Sequence, residues 1–289
     1  MAVDELSTTA PHDDAAWDEL DEEEKLRRMR HSAAHILAEA VLEMFPKAKY
    51  AIGPTIENGF YYDFELPRPL TPDDLVNLER RMKRTVKRNV PIEGEWIPKA
   101  QARAIFQDQP YKLELIENLD GELVGHFTHA KFEDLCRGGH TERTGQVGAF
   151  KLTHTAGAYW RGDEANAMLQ RVYGVLFRTQ DDLAQYVQAR EEAERRDHRR
   201  LGRDLDLFST HEQYGPGLIY WHPKGGRIRN EIENAWRNEH FDAGYEIVHT
   251  PHVGRSDLWE TSGHLDFYAE NMYPSMDFEG GDYYLKPMN

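Results

Sequence analysis

One cysteine, Cys136, stands among 289 residues, so no disulfide can form within the chain. Nothing at the N-terminus resembles a signal peptide: it is acidic and holds no apolar stretch. Both features fit a reducing compartment, and the expectation is a cytoplasmic protein. No apolar run approaches the ~20 residues of a membrane span, so no membrane partner is expected. Internal repeats are absent. Bases are scarce, 35 Lys and Arg against 51 Asp and Glu, for a formal net charge of −16. That balance ordinarily argues against a nucleic-acid partner, but the acid is unevenly placed. Residues 1–25 hold ten acids and one base, Lys25, which leaves only −7 of the −16 for everything after them. This segment reads as a solvated, disordered leader. The opposite bias occurs in 79–88, with six bases and one acid. A helix there can track a phosphate backbone or simply present a solvated face, and these residues leave both open.

The length allows two domains, each with its own core. Apolar residues recur every three or four places from Glu22 to Phe45, which predicts a helix that Pro46 ends. His31 and His35 lie one turn apart on it and share a face. Lys49 to Ile56 and Phe60 to Phe64 flank Asn58-Gly59 and predict a hairpin with a tight primed turn. Thr71-Pro72-Asp73-Asp74 starts a helix reaching about Asn89. A strand over 90–97, a helix over 99–107 and strands at 112–116 and 127–130 follow. Gly138 and Gly139 favour a tight loop for Cys136 and His140. The mixture predicts an α+β domain ending near Phe177. A charged helix over 179–203 then reads as a connector. After it come a turn at Gly215-Pro216-Gly217, a helix over 224–241, a strand at 245–248, and an end in mid-sheet.

The two short clusters, His31-Ser32-Ala33-Ala34-His35 and Cys136-Arg137-Gly138-Gly139-His140, carry the chemistry. Histidines at i, i+4 are by themselves a common structural pair. Three imidazoles with one thiolate suit tetrahedral zinc, and a histidine cluster without metal can also orient and deprotonate a water. Asp134 can bind an ammonium or hydroxyl, or be a loop carboxylate. Lys112 can stabilise an oxyanion or be solvated, and Tyr62 can be hairpin packing.

Several further stretches are colinear with a known family: Ala51-Ile52-Gly53-Pro54, Asn58-Gly59-Phe60-Tyr61-Tyr62-Asp63, Asp134-Leu135-Cys136-Arg137-Gly138-Gly139-His140, Ala156-Gly157-Ala158-Tyr159-Trp160-Arg161-Gly162-Asp163 and Met168-Leu169-Gln170-Arg171-Val172-Tyr173-Gly174. Arg196-Asp197-His198-Arg199-Arg200-Leu201-Gly202, Leu258-Trp259-Glu260-Thr261-Ser262-Gly263-His264 and Leu285-Lys286-Pro287-Met288-Asn289 continue the series. With the His31 cluster they span 31–289, and the chain resembles the bacterial-type threonyl-tRNA synthetases of class II.

The resemblance implies an α+β editing domain over 26–178, with the segment shared with alanyl-tRNA synthetases at about 132–178. The charged helix over 179–203 becomes a linker, and 204–289 the start of a class II antiparallel-sheet catalytic domain. It implies hydrolysis of seryl-tRNA(Thr) by the editing site, and ligation of threonine to tRNA(Thr) with ATP by the full-length protein. Serine lacks one methyl group of threonine, worth only ~1–3 kcal/mol in a pocket, so a second sieve is needed. His31, His35, Lys112, Cys136 and His140 are implied as catalytic, with Lys112 and His31 acting on the water. Tyr62 and Asp134 are implied to contact the seryl-adenosine end, and Met288 to bind substrate. Metal is optional at His31, His35, Cys136 and His140; catalytic-domain zinc ligands are expected beyond Asn289. ATP, magnesium and a homodimer formed through the class II part are implied for the full-length protein, and the chain is expected to be a fragment. Two departures stand out: Gly139 replaces the family's usual proline, and the acidic leader replaces a small N-terminal domain. The competing readings are an alanyl-type trans-editing deacylase and a zinc-stabilised, non-catalytic tRNA-binding module.

Overall fold

Asp21 opens the first helix. Its carboxylate accepts the Glu24 amide at 2.7 Å, and Glu22, Glu23 and Glu24 occupy the first turn, where the helix dipole favours anions. The computed structural model describes residues 17–287. The first sixteen residues of the leader, and Met288, lie outside them. The rest of the leader departs from the expectation of disorder: Trp17–Glu19 form a 3-10 turn, and α1 runs Glu22–Met44. Capping and dipole stabilise there what composition alone would leave loose.

The middle of α1 is buried almost all round. Ala33, Ala34, Ile36, Leu37, Ala38, Ala40 and Val41 are inaccessible or nearly so. They form one core with Phe60, Tyr62 and Phe64 from a strand and Leu78 and Met82 from the next helix. The strands here are β1 (Lys49–Tyr50), β2 (Thr55–Ile56) and β3 (Gly59–Glu65). The hairpin closes on the pair Ile56 and Gly59, and none of Glu57, Asn58 and Gly59 takes a positive φ. The primed turn expected at Asn58-Gly59 is therefore not used. Gly59 answers a different need: a Cβ there would lie 1.9 Å from the Gly174 carbonyl oxygen across the sheet.

Helix α2 (Pro72–Arg88) starts with a capping box between Thr71 and Asp74 and ends at Asn89 in the left-handed conformation. Then come β4 (Ile92–Pro98), α3 (Lys99–Ile105), α4 (Pro110–Asn118), β5 (Leu123–His129) and β6 (Phe132–Leu135). The strand expected at 112–116 is part of α4. Pro110 suits a first helical position, and Tyr111, Lys112, Leu115 and Ile116 turn inward with helical spacing, so the period of 3.6 prevails over a short apolar run. The strands β7 (Ala149–Tyr159) and β8 (Met168–Phe177) complete the main sheet, ordered β1-β3-β8-β7 with β2 also on β3. A second sheet is ordered β4-β5-β6. Helix α5 (Gln180–Arg195) follows, with Leu183 buried and Tyr186 against Phe177 at 4.8 Å.

The chain divides into two compact units between Arg195 and Arg196. The single helix expected over 179–203 is two. Asp197 accepts the Arg199 amide at 2.8 Å and starts α6 (His198–Asp204) in the second unit. Next are β9 (Phe208–Thr210) paired with β10 (Ile219–Trp221), α7 (Pro223–Asp242), β11 (Val253–Arg255), α8 (Ser256–Thr261), α9 (His264–Phe267), β12 (Met276–Phe278) and β13 (Gly281–Leu285). β13 is central between β11 and β12. Residues 245–248, expected as a strand, are irregular and exposed; among the described residues no strand lies alongside to pair with them. All described pairings are antiparallel, and the fold class is α+β as expected.

Candidate active site

Helix α1 presents His31 and His35 from consecutive turns, and the loop after β6 returns Cys136 and His140 to them. Two backbone devices make that loop. The Cys136 amide donates to the Gly125 carbonyl at 3.1 Å, so the strand ladder runs to the loop's first residue. Gly138 and Gly139 then adopt φ values of 91° and 75°, open to glycine and costly for other residues. Proline at position 139, locked near −65°, would not fit this path. The Arg27 guanidinium fills the space instead, 2.7 Å from where a Gly139 Cβ would stand.

One ligand atom from each of His31, His35, Cys136 and His140 falls within 4.8 Å of the others. The expected quartet therefore meets in one place. The His31 and His140 rings stack at 4.1 Å, and the His35 ring lies edge-on to both, at 4.9 Å from His31 and 4.4 Å from His140. Cys136 Sγ is 3.1 Å from His140 Nε2. Burial depresses all three imidazoles. It brings His31 to about 4, helped by the Arg27 charge, and holds His35 and His140 well below their usual value. Burial pushes the Cys136 thiol up. At neutral pH the site is three neutral rings and a thiol.

Lys112, Asp134 and Tyr62 form an adjoining group, all three almost wholly inaccessible. Lys112 Nζ contacts Asp134 Oδ1 and donates to the Tyr62 hydroxyl at 3.0 Å. The Tyr62 hydroxyl donates to Asp134 Oδ2 at 2.6 Å, and the Leu135 amide donates to Oδ1 at 2.7 Å. Burial raises the Tyr62 phenol far above its ordinary range, so it remains a donor. His35 Nε2 lies 3.5 Å from Asp134 Oδ2 and joins this group to the quartet. Met288, also assigned to substrate binding, falls outside the described residues.

Four neighbours were not legible from spacing: Ser32, Thr141, His129 and Glu39. Ser32, fully buried between the two helix histidines, has its Oγ 3.2 Å from His140 Nδ1 and 3.0 Å from the Thr141 amide. Buried His129 places Nε2 3.4 Å from the Glu39 carboxylate, which also accepts from Thr85 at 2.7 Å. The one available signal was that Ser32 and Thr141 each adjoin a cluster histidine.

The donor set suits a metal. Four-coordinate zinc bound by nitrogen at about 2.0–2.1 Å and sulfur at about 2.3 Å puts neighbouring donors roughly 3.5 Å apart. The Cys136–His140 separation is already close to that, and the widest donor gap, at most 4.8 Å, needs about 1 Å of closure. The residues fit the group.

Residues 124–173 match the family model described as the threonyl and alanyl tRNA synthetase second additional domain. Threonine–tRNA ligase from Dehalococcoides mccartyi (strain CBDB1) is 54% identical over 264 residues, which is 91% of this chain and 45% of that protein. The Borrelia hermsii (strain HS1 / DAH) threonine–tRNA ligase is 53% identical over 276 residues, 94% of this chain and 47% of that one. The crystal structure of the RNA binding domain of threonyl-tRNA synthetase from Cryptosporidium parvum Iowa II is 42% identical, with 32% of this chain and 23% of that one covered and a TM-score of 0.31. The Cys136–His140 loop lies inside the matched segment, which is similar to the domain that threonyl and alanyl tRNA synthetases share. Within that group the relatives narrow the likeness: over 91% and 94% of its length the chain is similar to these two threonine–tRNA ligases. It spans about half the length of the curated relatives it matches.

Proposed function

We propose that the first unit hydrolyses the ester of serine wrongly joined to tRNA(Thr), and that the full-length protein joins threonine to tRNA(Thr) with ATP. One observation carries the editing reading: His31, His35, Cys136 and His140 converge beside the buried Lys112–Asp134–Tyr62 group, linked through His35 and Asp134. Ester hydrolysis needs a water deprotonated as it attacks the carbonyl carbon, a cation for the oxyanion, and a proton for the departing ribose oxygen. His31 is only half-buried; its neutral ring, hydrogen-bonded to the Gly138 and Gly139 backbone, takes the water's proton and returns it to the departing ribose oxygen. Lys112 supplies the fixed positive charge, while Asp134 and the Tyr62 hydroxyl hold the seryl-adenosine end. His35, Cys136 and His140 complete the polar wall around the water.

Zinc held by the quartet would polarise the ester carbonyl and make a bound water more acidic. The residues' own roles do not require it, since the neutral imidazoles already accept protons. ATP, magnesium, threonine and a catalytic-domain zinc belong to the full-length protein, as does Met288 in its substrate site. We assign residues 26–178 to editing, 179–203 to the link and 204–289 to the class II part. Exposed Ile228, Ile232 and Trp236, spaced by four along α7, support a homodimer formed through that part. Among the described residues no helix is long and apolar enough to cross a membrane, and a cytoplasmic location is the reading adopted.

The test is deacylation by the purified chain. Seryl-tRNA(Thr) should release serine while threonyl-tRNA(Thr) is spared, and His35→Ala should abolish the release. Serine release no faster than in buffer would overturn the editing role. Faster attack on misacylated alanine tRNA would favour the trans-editing alternative, which relatives named as threonine–tRNA ligases oppose. Stoichiometric zinc whose removal melts the chain, without deacylation, would favour the non-catalytic module.

A further inference from the structure

Ser32 Oγ has three neighbours: the Thr141 amide nitrogen at 3.0 Å, Thr141 Oγ1 at 3.2 Å and His140 Nδ1 at 3.2 Å. A serine hydroxyl has one hydrogen and two lone pairs, so these contacts constrain one another. The Thr141 amide can only donate, which occupies one lone pair. Thr141 Oγ1 also lies 3.0 Å from the Arg143 carbonyl oxygen, which can only accept, so the threonine hydrogen goes there. The Thr141 oxygen then accepts from Ser32, whose hydrogen is thereby used. What Ser32 has left for His140 is a lone pair.

We propose that Ser32 is a positioning residue that selects the ring tautomer of His140: Nδ1 carries the hydrogen, and the Nε2 lone pair faces Cys136 and the cavity. The chain then runs in one direction. The Cys136 thiol donates to His140 Nε2, Nδ1 donates to Ser32, Ser32 donates to Thr141, and Thr141 donates to the Arg143 carbonyl. For a neutral ring this is the only assignment in which every one of these contacts is a hydrogen bond. Ser32, Thr141 and His140 are all buried, with His140 the most exposed at 8%, so water offers little competition. The same assignment keeps Nε2 an acceptor, which can turn to a metal ion once the Cys136 thiol gives up its proton, as ligand histidines are commonly held by a bond to the opposite nitrogen. Its kinetic consequence rests on the editing function proposed above; the tautomer itself does not.

The test is nitrogen NMR of the full chain labelled at histidine, which distinguishes protonated from bare ring nitrogens. At neutral pH the His140 ring should be Nδ1–H. In Thr141→Val the Ser32 hydrogen loses its acceptor and can turn only to Nδ1, so the ring should move to Nε2–H; Thr141→Ser should behave as the parent. Ser32→Ala should lose the preference for Nδ1–H. On seryl-tRNA(Thr) that variant should lower kcat about 10- to 100-fold, with KM little changed. An Nε2–H ring in the parent, or an Nδ1–H ring retained in Thr141→Val, would overturn the assignment whether or not Ser32→Ala folds. A changed tautomer with unchanged kcat would overturn the positioning role. The expected tautomers in a chain without deacylase activity would uphold the assignment and count against the editing function alone.

Discussion

Replacing Lys112 by methionine should destabilise the first unit strongly, because the lysine neutralises a carboxylate that has no exposure of its own. Asp134 is 1% exposed. Its partners besides Lys112 are the Tyr62 hydroxyl, the Leu135 amide and, at 3.5 Å, His35. With the ammonium gone, a full negative charge would rest on two neutral donors, a loss of about 3–5 kcal/mol for a broken buried pair. At a urea slope of about 1–3 kcal/mol per molar, the midpoint should fall by at least about 1 M. Lys112→Met combined with Asp134→Asn removes both charges and should recover at least about 1 kcal/mol of the loss. Urea titration followed by hydrogen exchange at α4 and β6 amides reads this unit separately from the second. A single variant within about 0.5 kcal/mol of the parent, or a double variant worse than the sum of its singles, would refute the buried-pair account. It also bears on activity assays: Lys112→Ala cannot probe catalysis cleanly, contrary to what the sequence suggests for a lone lysine on a strand.

Three other outcomes are expected. His31 titrates near 4 in the fold against an ordinary 6.5, so unfolding takes up a proton between those values. The stability tied to its neutral form is complete above pH 6.5 and is lost as pH falls towards 4, about 1–2 kcal/mol by pH 5; equal losses in the parent and His31→Gln between pH 7 and 5, by urea titration, would contradict it. Gly59→Ala drives a methyl to 1.9 Å from a backbone oxygen of the neighbouring strand and should cost about 1–3 kcal/mol in thermal or urea unfolding, with a neutral result refuting the close approach. Gly139→Pro cannot keep φ at 75° and should cost about 1–3 kcal/mol in urea unfolding of the first unit; an unchanged midpoint would mean that the loop tolerates another path.

What could be read from the chain before its fold was known followed local rules. The α1 periodicity, the Thr71–Asp74 cap and the glycine loop at Gly138-Gly139 are short-range features, and each stands where expected. The failures share a cause as well. Lys112–Ile116 read as a strand because a short run of apolar residues has no clear period, and Pro110 lay just outside the window. Gly59 read as a turn residue because a glycine's need for closeness to another strand cannot be seen from its neighbours. Within the site, the i, i+4 pairs were visible, and their convergence is a tertiary fact across about a hundred residues. Ser32 and Thr141 left almost no trace, because their importance lies in who shares one hydroxyl hydrogen. His129 and Glu39 were hidden likewise, paired across the core by packing alone.

Helix α1 offers one further consequence. The turn that displays His31, Ser32 and His35 also contains Ala33, Ala34 and Ile36, which are wholly sealed inside the protein. Chemistry and cohesion therefore share a single rigid rod with no hinge between them. Warming should not silence the pocket first and melt the scaffold later; both should fail over the same few degrees, making loss of the proposed deacylation a thermometer for the unit as a whole.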